Sequence, residues 1–248
     1  MLTIGAVSYL NTKPYGLGLK DIEGDDFKVI EDYPSHIAEL FLNEKIDIAL
    51  LPVAVLKEIL DFEIAAPYGI AADGIVDTVC LFTKTPIHEI DKIYLDYQSR
   101  TSVLLMRILC RKFLNIHPQF LPLQDNMLNE FLDNKSGLLV IGDRAIPLLG
   151  SYPYCYDLAT LWKKFTDLPF VFAIWVSNKP LQDNDKQIFQ TALENGVLNV
   201  EKVIAQNSKI YDTPSFSVAS YLTQRINFRL TDKHFKGMQM FIDLLDEL

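Results

Sequence analysis

The chain has 248 residues, 49% hydrophobic and 22% charged, a balance that suits a globular protein with one large core or two smaller ones. Its 32 acidic residues exceed the 23 Lys and Arg, a formal net charge of -9, which argues against nucleic acid or an anionic membrane as partner because both reward a basic surface. The longest apolar runs, Gly137 to Ile141 and Val171 to Val176, fall far short of the ~18 to 20 residues that cross a bilayer.

Met1 is followed at once by the apolar run Leu2 to Val7, with no basic n-region and no small-residue cleavage site, so a cytoplasmic protein is expected. Leu2 to Val7 reads as a buried strand, Phe27 to Glu31 as a second and Ile46 to Leu51 as a third. Between the last two, Pro34 suits a first helical position, and Ile37, Leu40 and Phe41 share a face, which predicts a helix from Pro34 to Lys45. A β-α-β unit of this kind implies a parallel sheet with a right-handed crossover. Pro52 stops the third strand, and Val53 to Leu60 reads as a short helix.

After the turn pair Asp73-Gly74, Ile75 to Thr83 is a β-rich run long enough to pass between two lobes. The pattern then restarts: strand Lys92 to Asp96, helix Ser102 to Leu114, strand Gln119 to Leu121, helix Met127 to Leu132, strand Gly137 to Ile141. Phe170 to Ser177 reads as a return strand. Helices follow over Lys186 to Gln206, Ser215 to Gln224 and Asp232 to Leu248. Two β-α-β series joined by two crossing strands predict an α/β fold of the periplasmic-binding-protein type (type II), two lobes with a ligand cleft between them. The expected lobes are residues 1–84 with 176–248, and 85–175.

Familiar catalytic signatures are missing. Gly16-Leu17-Gly18 is too short for a dinucleotide fingerprint, and there is neither a Walker sequence nor a G-x-S-x-G elbow. His36, His88, His117 and His234 lack a partner at helical spacing and read as surface or capping residues, so no metal is expected. Cys80, Cys110 and Cys155 form no C-x-x-C pair and read as small core hydrophobes.

Ligands of α/β sheets collect at the carboxyl ends of strands, where loops and helix starts present N–H groups. Four segments stand at such ends. Ser8-Tyr9-Leu10-Asn11-Thr12 follows the first strand, although Ser8 and Asn11 also suit plain turn and cap roles. Asp77-Thr78 lies in the crossing run, where it also fits a solvent-facing alternation. Asp96-Tyr97-Gln98-Ser99-Arg100-Thr101-Ser102 leads from a strand into an apolar helix; three hydroxyls, an arginine and helix N–H groups can hold a carboxylate, or can simply cap the helix. Ile141-Gly142-Asp143-Arg144 ends another strand, and Gly142 would let a ligand approach the backbone.

Taken together, Ser8-Tyr9-Leu10-Asn11-Thr12-Lys13-Pro14, Asp47-Ile48-Ala49-Leu50-Leu51-Pro52, Ser99-Arg100-Thr101-Ser102-Val103, Ile141-Gly142-Asp143-Arg144-Ala145, and Asp157-Leu158 with Trp162 through Thr166-Asp167-Leu168-Pro169-Phe170 resemble the ordered sequence blocks of the chorismate dehydratase family, the first enzyme of the futalosine route to menaquinone. The resemblance spans roughly residues 4 to 175, and the helical tail matches only in general character. The sister 1,4-dihydroxy-6-naphthoate synthase follows its first strand with a cysteine-rich Pro-Asn-Asp-Thr type of sequence, where this chain has Tyr9-Leu10-Asn11-Thr12. Relatives often carry serine near Thr78, and threonine keeps the hydroxyl.

The resemblance implies a lyase that removes the ring hydroxyl and a neighbouring ring proton of chorismate, giving 3-[(1-carboxyvinyl)oxy]benzoate. Aromatisation drives this loss, so no metal or organic cofactor is demanded. With donors at helix starts and no obvious strong base, the substrate's enolpyruvyl carboxylate is the expected proton acceptor, oriented by Asn11 and Thr78, with Asp143 as the rival base, and Ser8, Tyr9, Ser99, Arg100, Thr101, Ser102 and Gly142 are expected to bind substrate. The sister synthase, a non-catalytic small-carboxylate-binding protein and a ligand-sensing domain remain alternatives. Oligomeric state is open, a homodimer included.

Overall fold

The structure is a computed structural model that describes residues 1–124 and 132–248. β1 (Leu2–Val7) ends in four buried residues. It pairs in parallel with β2 (Phe27–Asp32) from Leu2↔Phe27 to Val7↔Asp32 and with β3 (Ile48–Pro52), all five of whose residues are buried. A strand covered on both faces reads as a continuous apolar run, which is why β1 and β3 stand out in the sequence. α1 (Lys13–Leu19) and α2 (Pro34–Leu42) both carry proline in the first turn, where its missing N–H costs no bond. Ile37, Ala38 and Phe41 turn α2 onto the sheet.

β4 (Glu63–Ala72), a strand the sequence reading did not contain, and β10 (Phe170–Ser177) complete the first sheet with the short β11 (Asn227–Arg229). Its strand order is β11-β4-β10-β3-β1-β2. The second sheet has β5 (Val79–Thr83), β6 (Lys92–Leu95), β7 (Gln119–Pro122), β8 (Ser136–Ile141) and β9 (Tyr154–Asp157), in the order β7-β6-β8-β5-β9. Its helices are α3 (Arg100–Ile108), which continues as a wider turn over Leu109–Leu114, and α4 (Leu158–Thr166). The expected helix from Met127 to Leu132 falls, but for Leu132, outside the described residues.

The run from Ile75 to Thr83 is not one crossing strand. Asp77 has φ +65°, a left-handed conformation that a short polar side chain tolerates, and this breaks the extended run; β5 then lies wholly in the second sheet, and β10 wholly in the first. The chain passes between the sheets through residues 73–78 and again through 158–169. The long C-terminal helix expected from Lys186 to Gln206 is two, α5 (Asp183–Leu198) and α6 (Val200–Tyr211). Asn199 separates them, its side-chain amide donating back to the Asn195 carbonyl at 2.9 Å and so ending α5 from its own side chain. α7 (Val218–Ser220) is a single turn that widens over Tyr221–Arg225, and α8 (Asp232–Leu245) starts in a capping box in which the Thr231 N–H donates to His234 Nδ1.

One apolar core runs through both sheets by way of α3, α4, α8 and β10, with Trp162, Trp175 and Tyr15 fully buried in it. A second, smaller cluster around Phe82, Leu138 and Val140 covers the other face of the second sheet. Cys80 and Cys110 are buried as expected, but Cys155 is exposed, because the edge strand β9 has a neighbour on one side only. Gly16-Leu17-Gly18 serves packing: a β-carbon on Gly18 would lie 1.8 Å from the Ala192 carbonyl oxygen, so α1 and α5 touch backbone to backbone.

Candidate active site

The carboxyl ends of β1, β3, β6 and β8 and the passage through 76–78 meet around a cavity of about 630 Å³, counting the open space at its mouth. Tyr9 and Asn11 line it from the loop after β1, Thr78 from the passage, Ser99, Thr101 and Ser102 from the start of α3, and Gly142 from the end of β8. Val7, Leu50, Ile70 and Phe172 add apolar wall. Among the described residues none of the lining side chains is a carboxylate, a histidine, a lysine or an arginine.

At the start of α3, the Ser99 side chain caps the helix by accepting the Ser102 N–H at 3.0 Å. Thr101 and Ser102 are almost fully buried. Thr101 Oγ1 accepts the Ala54 N–H, just past β3, at 3.2 Å, which leaves the hydroxyl proton to donate elsewhere. A helix start with hydroxyls and a positive dipole end favours an anion.

Across the cavity, Thr78 Oγ1 stands 2.8 Å from the Tyr221 hydroxyl. Asn11 Oδ1 is buried without a hydrogen-bond partner. The passage bearing Thr78 is pinned by Asp157, one of whose oxygens accepts the N–H groups of Val76 and Asp77 at 2.9 and 2.7 Å while the other accepts Thr160 N–H at the start of α4. Burial raises the Asp157 carboxyl above its ordinary range, with the three N–H groups working against that. Arg225 Nε donates to Asp77 at 3.0 Å, and the Gly142 N–H donates to the Thr78 carbonyl at 2.8 Å.

Asp96 sits under the cavity floor, fully buried, accepting Gln98 and Ile141 N–H at 2.9 and 3.0 Å and paired with Arg144. Burial raises its pKa, and the two N–H groups and Arg144 oppose the shift. The Tyr9 hydroxyl reaches over to donate to Gln98 Oε1 at 2.7 Å, and burial, then Asp96, push its pKa up. Gly142 has φ +62°, and a β-carbon there would lie 3.5 Å from the Tyr9 ring; a side chain at this position would be strained by the backbone conformation.

Three expected site residues stand elsewhere. Ser8 is exposed and lies outside the cavity lining, since the chain turns between Val7 and Tyr9. The Arg100 guanidinium faces outward and donates to both Glu58 oxygens at 2.8 and 3.0 Å. Asp143 is also absent from the lining; its carboxylate accepts the Leu10 N–H at 3.1 and 3.2 Å and the Tyr211 hydroxyl at 3.2 Å. Burial raises its pKa, with the Leu10 N–H opposing. Residues the sequence reading missed are Thr12, whose hydroxyl donates to the backbone carbonyls of the same loop, Gln98, and Tyr221. Gln98 could have been noticed as a polar residue inside the third segment. Tyr221 had no signal, lying in a tail that read only as helix.

Two α/β lobes closing on a polar-and-apolar cavity built from strand-end loops define a protein of the periplasmic-binding-protein fold. The solved structures agree: a protein of Archaeoglobus fulgidus matches with a TM-score of 0.77 at 13% identity over 99% of this chain and 97% of that one. The periplasmic aliphatic sulphonate binding protein of Escherichia coli matches with a TM-score of 0.65 at 16% identity, over 99% and 91%. A family model described as menaquinone biosynthesis matches residues 2–247, and the chain belongs to that family. A curated relative, chorismate dehydratase of Thermus thermophilus, is 25% identical over 98% of this chain and 94% of its own length. No helix among the described residues is long and apolar enough to cross a membrane.

Proposed function

We propose that the protein is a chorismate dehydratase of the futalosine route, a carbon-oxygen lyase acting in the cytoplasm that converts chorismate to 3-[(1-carboxyvinyl)oxy]benzoate and water. The observation that carries the reading is the placement of two unlike polar groups in one cavity: the hydroxyl-rich start of α3 and, across from it, Asn11 with Thr78. The similarity to the Thermus thermophilus enzyme supports the same reaction.

In this reading Ser99, Thr101 and Ser102 hold one substrate carboxylate by hydroxyls and the helix start, without a counter-charge. Asn11 and Thr78 orient the enolpyruvyl side, and its carboxylate takes the ring proton and hands it to the departing hydroxide, which leaves as water. A lining that offers donors and no strong base supports proton transfer within the substrate. We assign Asp143 to joining the loop after β1 and α6, and not to the role of base. Tyr9 and Gly142 shape the wall. The lobes that close on the substrate are, in the same reading, limited by the two passages at 73–78 and 158–169 rather than at 84 and 176.

The test is to incubate the purified protein with chorismate and follow the ultraviolet spectrum and the product mass. Loss of 18 mass units with appearance of an aromatic ring is the expected result, 18 being roughly the mass of the water that leaves. Turnover of the sister synthase's substrate instead would replace the reading with that enzyme. Tight binding of chorismate without turnover would make the protein a carboxylate binder.

A further inference from the structure

We propose that Asp77 is a positioning residue of this site that acts through its backbone: the left-handed turn centred on it brings the Thr78 side chain into the cavity. The proposal rests on the chorismate dehydratase reading and adds a residue to it. Asp77 itself lies outside the cavity lining, so it reaches a substrate through Thr78, the next residue along the chain.

In β5, Val79 and Leu81 face the main core while Cys80 and Phe82 face the smaller cluster on the other side of the second sheet, the alternation of an extended chain. Continued backward by one residue, that alternation would put Thr78 on the side of Cys80 and Phe82. Thr78 instead lines the cavity together with Val79. The break lies at Asp77, where φ is +65° and the Thr78 N–H donates to the Val76 carbonyl at 2.8 Å. A hydrogen bond that closes across a single residue of positive φ makes a three-residue turn of the rare and strained kind.

A strained conformation persists only where its surroundings over-determine it, and each residue of this turn is held. One oxygen of Asp157 accepts the Val76 and Asp77 N–H groups at 2.9 and 2.7 Å. Arg225 Nε donates to the Asp77 carboxylate at 3.0 Å, the Thr78 carbonyl accepts the Gly142 N–H at 2.8 Å, and Thr78 Oγ1 meets the Tyr221 hydroxyl at 2.8 Å. Asp157 is the last residue of β9, just before the second passage between the lobes, so both passages are tied at this point. Distant parts of the chain thus converge on a turn that delivers one hydroxyl to the cavity.

The test compares Asp77→Gly with Asp77→Val in steady-state kinetics with chorismate, each below its melting temperature. Both lose the Arg225 bond, but glycine takes a positive φ freely, whereas a β-branched residue there is an outlier and favours the extended strand. Asp77→Val should show a kcat about 10- to 100-fold below that of Asp77→Gly, the scale of a misplaced reacting group, with the two KM values within about two-fold. On a Thr78→Val background the difference should shrink to less than about two-fold, because residues acting through one another are not additive. Equal kcat in the two variants, a loss carried by KM or by melting temperature alone, or a difference that survives in full beside Thr78→Val overturns the proposal. Where Asp77→Val does not fold, Asp77→Ala takes its place, since a β-carbon alone disfavours the left-handed conformation; a kcat at least about five-fold below that of Asp77→Gly is then expected, and an equal kcat overturns the proposal. A parent that does not consume chorismate defeats the function reading, and the turn is then judged by nuclear magnetic resonance. Cross-relaxation between the Thr78 methyl and the Tyr221 ring, whose hydroxyls are neighbours, should appear in Asp77→Gly and be lost in the valine or alanine variant; a peak in both or in neither overturns the placement.

Discussion

Asn11→Ala should lower turnover sharply and yet leave the protein as stable as the parent or more so. The side chain carries a polar group that weighs against folding. Its Oδ1 is buried with no partner, which costs about 1–3 kcal/mol. The side chain borders a cavity open at its mouth, so truncation encloses no new void and adds no cavity cost. At the lower end of that range alanine gains about 1 kcal/mol, or about 2–4 °C in Tm for a chain of this size.

On the proposed function, the same oxygen serves the substrate, and removing a group aimed at the reacting centre costs about 10²- to 10³-fold in kcat. Thermal melting and steady-state kinetics with chorismate on one preparation read both numbers. A fall in Tm of several degrees would mean that Oδ1 is satisfied in the native protein, and the energetic argument fails. Unchanged turnover would remove Asn11 from the reacting centre.

Gly18→Ala should cost about 1–3 kcal/mol in a urea melt, since its β-carbon meets the Ala192 carbonyl at 1.8 Å, whereas Gly24→Ala, with nothing within 4 Å, should be close to neutral; equal effects would refute the backbone contact of α1 with α5. A thiol reagent should label Cys155 in the native protein, exposed and with its pKa lowered chiefly by the neighbouring Cys80 thiol, well before Cys110, whose thiol burial pushes up to about 12; mass mapping that finds Cys110 labelled first would contradict the burial. Burial holds the Asp143 carboxyl above its ordinary 3.8, so its contribution to stability is full below pH 3.8 and is lost as pH rises through the folded value. Asp143→Asn has no such loss, so the variant's Tm should gain on the parent's with rising pH across that window, and a constant difference would show that Asp143 is not shifted.

The sequence displayed the parts of this fold that are apolar for local reasons. β1 and β3 are buried on both faces, and the prolines of α1 and α2 announce the helix starts. β4 was illegible because Pro67, Gly69 and four alanines give Glu63–Ala72 little strand propensity. It is a strand through its partners: β10 pairs with it antiparallel, with an irregularity between Ile64 and Gly69 that accommodates Pro67. The passage at 73–78 was hidden for the opposite reason. Ile75 to Thr83 is β-rich throughout, and only the left-handed Asp77, held by Arg225 from far along the chain, ends the extended run. At the site, strand-end segments could be found because α/β sheets gather ligands there. Which residue within each segment faces the cavity could not, since loops have no period: Thr101 turns inward and Arg100 outward, Tyr9 inward and Ser8 outward.

The residues that build the site also join the lobes, and this links closure to chemistry. The Tyr9 hydroxyl donates to Gln98, the Leu10 N–H to Asp143 and the Ala54 N–H to Thr101, each from a segment following a strand of the first sheet to one following a strand of the second. At about 1 kcal/mol net for each, these three bonds add a few kcal/mol to the pairing of Arg100 with Glu58 and of Tyr211 with Asp143, which join the same two sides. The bond at Thr101 does more than hold. By occupying a lone pair of the hydroxyl, the Ala54 N–H leaves the Thr101 proton to be donated, and an open cleft would free that lone pair and let the hydroxyl rotate. Closure therefore orients the donor that, on the proposed function, grips the substrate carboxylate, so the anion is bound best in the state that excludes water. A substrate bridging the start of α3 and Asn11 contacts both sides of the cleft, and by that differential contact it stabilises the closed state it requires.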